Sequence, residues 1–154
     1  TMLTAGKPRP PPPPLHTTHF NIILYTTNGE MTPEAAEIEA WERYAEIQGI
    51  SAVGEYFRNQ TEALAGRGLP GPSKLDLIPA LVERGQARTA WFYEQIDEQL
   101  GKTEFLGSNR YSVADITAQC AVDFANAVSL GIPDHCANVA RWHKVVSERP
   151  TAGA

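Results

Sequence analysis

Apolar residues recur every three to four positions after Thr32, which is the period of an amphipathic α-helix. Thr32 is a suitable N-cap, and Pro33 fits the first helical turn, where its missing N–H does no harm. The pattern therefore predicts a long first helix that ends near Leu64. Gly49 and Gly54 lie inside this helix and predict a bend, because each glycine costs up to about 1 kcal/mol relative to alanine.

Three further apolar stripes follow a Gly- and Pro-rich segment at residues 65–73. The second helix is predicted from residues that share a helical period, namely Ile78, Leu81, Val82, Gly85, Thr89, Phe92, Ile96 and Leu100. The third spans about Val113–Leu130 and is expected to bury Val113, Ile116, Thr117, Cys120, Phe124 and Val128. The fourth carries Val139, Trp142, Val145 and Val146. Together these elements predict an all-α fold, a bundle of four or five helices.

The first 31 residues differ in composition from the rest of the chain. Six of the twelve prolines lie within Pro8–Pro14, where fixed backbone angles and missing amide donors favour polyproline II. We therefore expect a Pro-rich leader or tether at residues 1–31 and one helical domain at residues 32–150. A peptide ligand for a Pro-binding domain is the alternative for the leader. His16 and His19 have H-x-x-H spacing, but on such a segment no metal site is expected.

Length and charge narrow the class of protein further. A chain of 154 residues corresponds to one domain, and the net charge of −5 makes nucleic acid an unlikely partner. No apolar run reaches the roughly 18–20 residues of a membrane helix, so no membrane partner is expected. Two cysteines do not form a disulfide framework, which favours a cytoplasmic location. Cys120 is expected to be a buried core residue and Cys136 a surface thiol.

The start of the third helix carries the most specific local signal. Ser112 and Asp115 are spaced as a capping box, in which each residue satisfies an amide at the start of the helix. Tyr111 and Ile116 stand where the two residues of a hydrophobic staple would lie. This pattern predicts a structural role for the Asp115 carboxylate, not a catalytic one.

The segment Phe105–Ile116 resembles the signature of the C-terminal domain of glutathione S-transferases, where a Phe-Leu and a Gly-containing turn precede a Ser-x-Ala-Asp box. Met31–Ile38 with Trp41 resembles the entry to the first helix of that domain, and Ser147–Pro150 resembles its closing Glu-Arg-Pro. The resemblance covers about Thr32–Pro150. It implies a bacterial-type, helical transferase domain with a role in detoxification.

The resemblance implies glutathione as co-substrate, a hydrophobic electrophile as ligand and no metal. The electrophile-binding wall would then consist of Ile50, Val53, Phe57 and Phe124, although helical spacing is equally compatible with four core residues. The thioredoxin-like domain that binds glutathione in the family has no counterpart in residues 1–31. We therefore expect no catalytic residue here, a half-site that is inactive alone, and at best a weak homodimer. A non-catalytic interaction or dimerisation module of the same fold is the alternative.

Overall fold

A computed structural model describes residues 32–149, and the expectations for the Pro-rich leader and for Pro150 lie outside these residues. The described part contains five α-helices and no β-strand longer than an isolated bridge. They are α1 (Pro33–Tyr44), α2 (Ser51–Gln60), α3 (Pro79–Leu100), α4 (Val113–Ala127) and α5 (Ala137–Ser147). The prediction of an all-α helical bundle is confirmed. No helix of this part has the length and apolar character needed to cross a membrane.

The first predicted helix is divided into three pieces. Thr32 caps α1 as expected, since its hydroxyl accepts a hydrogen bond from the Ala35 amide at 3.2 Å. A π-helical segment, Ala45–Ile50, joins α1 to α2. Gly49 in this segment lies against α4, where an added Cβ would stand 2.8 Å from the Cβ of Ala121. The bend predicted from the glycines therefore marks a close approach between helices.

α2 ends at Gln60, and a short 3₁₀ turn, Glu62–Leu64, follows it. The helix stops earlier than predicted because Thr61 has an extended backbone, with φ of −88° and ψ of 102°. The hydroxyl of Thr61 donates to the carbonyl oxygen of Phe57 at 2.6 Å, which satisfies one of the last carbonyl groups of α2.

The core is built around α4, which contacts α1, α2, α5 and the π-helical segment. Its fully buried apolar residues are small, namely Ala114, Ala118, Ala121, Val122 and Ala125. The stripe predicted from larger side chains is only partly correct. Val113, Ile116 and Cys120 are exposed, whereas Phe124 and Val128 are partly buried and pack against the core. Small side chains occupy the core face since neighbouring helices approach α4 closely on that side.

The two cysteines also exchange their expected environments. Cys120 is exposed on α4, whereas Cys136 is buried within the core just before α5. On α5, Val139, Trp142 and Val146 are buried as predicted, but Val145 is 42% exposed. The stripe predicted for α3 is correct from Gly85 onward, where each predicted residue is buried.

The carboxylate of Asp115 is fully buried and accepts four hydrogen bonds. Its Oδ2 accepts from the amide of Ser112 at 2.9 Å and from the Ser112 hydroxyl at 3.1 Å, within the capping box that starts α4. Its Oδ1 accepts from the amide of Leu106 and from the indole nitrogen of Trp142, each at 2.9 Å. One side chain thus joins the preceding loop, the start of α4 and the middle of α5.

The aromatic ring of Tyr111 packs edge-on against Phe105, with ring centroids 5.9 Å apart. The guanidinium carbon of Arg149 lies 3.7 Å from the centroid of the Tyr111 ring. Ile116, the other residue of the expected staple, is 48% exposed. Tyr111 therefore anchors the loop and the end of the chain's described part against the start of α4.

Candidate functional site

A cleft of about 400 Å³ lies between α2, the loop that joins α2 to α3, and one aromatic side chain of α4. Its lining is mainly apolar, with a few polar side chains from α2. The lining residues are Ile50, Ser51, Gly54, Glu55, Phe57, Arg58, Gly68, Leu69, Pro70 and Phe124. A partly apolar cleft of this size is suited to one small organic molecule.

Three of the four residues expected to form an apolar wall meet in this cleft. Ile50, Phe57 and Phe124 line it, and the rings of Phe57 and Phe124 form an edge-to-face pair with centroids 5.7 Å apart. Val53 is fully buried in the core and does not line the cleft, so it is removed from the expected wall. Its neighbour Gly54 lies at the surface of the cleft instead.

The α2–α3 loop supplies the opposite wall, through Gly68, Leu69 and Pro70. The carbonyl oxygen of the buried Asn59 side chain accepts from the amide of Ile78 at 2.9 Å, and its amide nitrogen donates to the carbonyl oxygen of Glu55 at 2.8 Å. The first bond joins the end of α2 to the start of α3, and the second lies within α2 and fixes the Asn59 side chain. The loop between them is therefore fixed at its base.

The loop is also bonded across its own width. The amide of Gly68 donates to the carbonyl oxygen of Leu75 at 3.0 Å. The amide of Leu75 donates to the carbonyl oxygen of Gly66 at 3.2 Å. Leu69 follows Gly68 and is 60% exposed, although it lines a mainly apolar cleft. Sequence reasoning missed this wall, since Gly and Pro indicate a turn but not its position in the fold.

The acidic residue of the cleft, Glu55, is held by two arginines of α3. Its carboxylate receives Arg84 Nε at 2.6 Å and Arg88 Nη1 at 2.9 Å, and the Glu55 side chain is only 12% exposed. The hydrogen bond that Arg84 donates to Glu55 also raises the pKa of Arg84. Arg88 further donates to the carbonyl oxygen of Ile47 at 2.6 Å. The negative charge of Glu55 is therefore compensated within the protein.

Arg58 lies one helical turn after Glu55 and lines the same cleft. The Arg58 side chain forms no hydrogen bond or ion pair with another side chain or with the backbone of residues 32–149. The helical period could have identified this residue, since Ile50, Gly54 and Arg58 follow one another at intervals of four. The cleft thus combines an apolar wall with one available positive charge.

The thiol and phenol groups whose pKa is raised lie away from this cleft. Burial, followed by the negative charges of Asp97 and Glu94, raises the pKa of the Cys136 thiol. Burial also raises the pKa of Tyr44 to about 12 and that of Tyr93 further. Each of the three groups is therefore protonated near neutral pH, and none of them lines the cleft. In the described part of the chain, no cluster of three or more metal-ligating side chains is present.

Comparison with known proteins gives a consistent set of relatives. The family described as "Glutathione S-transferase, C-terminal domain" matches residues 79–150. The curated "Glutathione S-transferase 2" of Saccharomyces cerevisiae is 27% identical over 130 residues, which cover 82% of this chain and 52% of the relative. The chain thus spans about half the length of that curated relative.

Two solved structures share the arrangement of helices. The crystal structure of Gtt2 from Saccharomyces cerevisiae matches with a TM-score of 0.71 at 23% identity, over 81% of this chain and 58% of that one. A glutathione S-transferase domain-containing protein from Marinobacter aquaeolei matches with a TM-score of 0.70 at 28% identity, over 80% of this chain and 58% of that one.

Proposed function

Because the chain carries the C-terminal helical domain of the glutathione S-transferase family, we propose that its cleft is the electrophile-binding half-site for conjugation of glutathione to a hydrophobic electrophile. The observation that carries the proposal is the apolar cleft where Phe57 and Phe124 meet Leu69. Such a wall removes water from an electrophile and holds its ring on aromatic surfaces.

The proposed role is restricted to binding of the electrophile. Conjugation requires a group that stabilises the thiolate of glutathione and holds the tripeptide in position. The polar side chains of the cleft are Ser51, Glu55 and Arg58, and Glu55 is already held by two arginines. We therefore expect glutathione, the co-substrate in this proposal, to be bound by a surface other than residues 32–149.

The experiment measures binding of 1-chloro-2,4-dinitrobenzene to the 154-residue chain without glutathione, by saturation-transfer NMR. Phe124→Leu should weaken binding about fivefold, because it removes the aromatic pair with Phe57 while retaining an apolar side chain. Val113→Ala is the matched control, since Val113 is exposed on the same helix and does not line the cleft. If the parent chain and both variants bind 1-chloro-2,4-dinitrobenzene with equal affinity, the proposed site is contradicted.

A second arm of the experiment adds glutathione and measures the rate of conjugation. The expected rate with this chain is the uncatalysed rate, because the cleft supplies only the site for the electrophile. Saturable turnover that survives removal of residues 1–31 would contradict the half-site proposal.

A non-catalytic interaction module is the second candidate function, and an exposed apolar surface favours it. Trp91 on α3 is 61% exposed, and Ile47 in the π-helical segment is 47% exposed. Arg88, which is also on α3, donates to the carbonyl oxygen of Ile47, so this segment and α3 are neighbours. Substitution of Trp91 therefore tests the interaction module separately from the electrophile half-site, because Trp91 does not line the cleft.

A further inference from the structure

We propose that the cleft selects an anionic aromatic molecule, whose acidic group pairs with Arg58 while its ring lies against Phe57 and Phe124. This inference rests on the proposed function, since it takes the cleft to be a small-molecule site, and it names the chemical class of the ligand.

The charges around the cleft favour an anion over a cation. Glu55 is the acidic residue among the lining side chains, and both of its carboxylate oxygens are occupied by Arg84 and Arg88. A cationic ligand would have to compete with these two guanidinium groups for the carboxylate. Arg58, in contrast, has no hydrogen bond or ion pair in the described part of the chain. The carboxylate of Glu55 and the guanidinium groups of Arg58, Arg84 and Arg88 together carry a net charge of +2.

The local charge is opposite in sign to that of the whole chain. The full sequence has a net charge of −5, which repels anions at long range. A positive side chain at an apolar cleft therefore acts only at short range, where the partly desolvated surroundings strengthen its pairing with an acid. This arrangement favours a ligand that carries its acidic group next to an apolar body.

The shape and lining of the cleft favour an aromatic body. The edge-to-face pair of Phe57 and Phe124 leaves apolar surface that can accept another ring at a favourable angle. On the opposite side, Leu69 and Pro70 form a wall that is held by the bonded α2–α3 loop. A ligand between these walls would cover the exposed side chain of Leu69. The volume of about 400 Å³ is sufficient for one or two fused rings.

Calorimetric titration of the 154-residue chain with two unreactive probes tests the inference. The probes are 2-naphthoate and 2-naphthylmethanol, which share their ring system and differ in charge. We expect naphthoate to bind about tenfold more tightly, as is typical of one charge-assisted hydrogen bond at a partly exposed site. Arg58→Gln should remove this preference, so that the two probes bind with equal affinity, because it removes the positive charge. Arg58→Lys should retain most of it, because the positive charge remains.

Arg67→Gln is the matched control. Arg67 is exposed on the α2–α3 loop and does not line the cleft, so its substitution removes the same charge from a neighbouring position. The control should keep the preference for naphthoate. Equal loss of preference in Arg58→Gln and Arg67→Gln would overturn the inference, because a general change of charge would then explain it.

Two results separate this inference from the proposed function. Equal affinity of the parent chain for the two probes overturns the anion preference, while an apolar site remains supported if Phe124→Leu weakens both. Binding of neither probe overturns both the inference and the proposed cleft. The comparison of the two probes on the parent chain requires no variant to fold.

Discussion

The indole nitrogen of Trp142 donates a hydrogen bond to Oδ1 of Asp115 at 2.9 Å, and both side chains are fully buried. The same oxygen accepts the amide of Leu106, while the other oxygen serves the capping box of α4. The Asp115 carboxylate therefore supports the fold of three segments at once. Its position in the core, with every oxygen occupied by the protein, explains a structural role for this acid.

Asp115→Ala should lower the free energy of unfolding by about 3 kcal/mol, because buried donors of Leu106 and Trp142 lose their acceptor. Urea denaturation measures the change. Asp134→Ala is the control, since Asp134 is exposed and lies outside this network. Trp142→Phe should have a smaller effect than Asp115→Ala, and an unchanged midpoint for Asp115→Ala would contradict the assigned role.

Gly85→Ala should destabilise the chain by about 2 kcal/mol, despite the better helix propensity of alanine. An added Cβ would stand 2.6 Å from the amide nitrogen of Tyr56 and 2.9 Å from the carbonyl oxygen of Ala52. These are backbone atoms, so α2 and α3 would have to move apart.

Gly54→Ala is the matched substitution in the facing helix. Its added Cβ would meet only a ring carbon of Phe124, at 3.9 Å, which is an ordinary contact. This variant should be neutral or more stable by up to about 1 kcal/mol. Thermal denaturation of both variants tests the difference, and similar melting temperatures would show that α2 and α3 do not approach each other as described.

The two thiols should differ strongly in reactivity toward a disulfide reagent such as 5,5′-dithiobis(2-nitrobenzoate). Cys120 is exposed, whereas Cys136 is buried and its pKa is raised, which disfavours the reactive thiolate. One thiol per native chain should react quickly, and the second only after unfolding. Cys120→Ser should remove the fast reaction, while Cys136→Ser should retain it. Fast reaction in Cys120→Ser would place Cys136 at the surface.

Alkaline pH should lower stability in part through Tyr44. Burial raises the pKa of this phenol from 10.0 to about 12. Below pH 10 the phenol is protonated in both the folded and the unfolded chain. As the pH rises from 10 to 12, the phenol of the unfolded chain loses its proton first, which favours unfolding. Tyr44→Phe should therefore lose less stability than the parent chain between about pH 10 and about pH 12. If denaturant titrations show that the parent chain and Tyr44→Phe lose the same free energy of unfolding over this pH range, this role for Tyr44 is contradicted.

Self-association should be weak and should involve the helices predicted at Thr32–Leu64 and Ile78–Leu100. The exposed indole of Trp91 is the apolar group that a second chain would cover. Trp91→Gln should reduce association in sedimentation experiments at high concentration. Val145→Gln is the control, since Val145 is exposed on α5. A tight dimer at nanomolar concentration would contradict weak association.

Local rules were sufficient to locate most helices and two of their N-terminal caps. The N-cap at Thr32, the capping box of Ser112 and Asp115, and the buried stripe of α3 depend on residues close together in sequence. The apolar wall of Ile50, Phe57 and Phe124 was also accessible from the resemblance. The loop wall at Leu69 was not, because its position depends on the bond between Asn59 and Ile78 and on packing beside α2.

The sequence by itself determined that the residues after Thr32 are helical, where α1 and α4 begin, and which carboxylate caps α4. Only the tertiary structure decided which face of α4 is buried, which cysteine is exposed, and that Val53 belongs to the core. The physical reason lies in the close packing around α4. Sequence periodicity assigns the core to large apolar side chains, but the approach of Gly49 to Ala121 requires small residues on the buried face of α4, and Val113 and Ile116 are exposed.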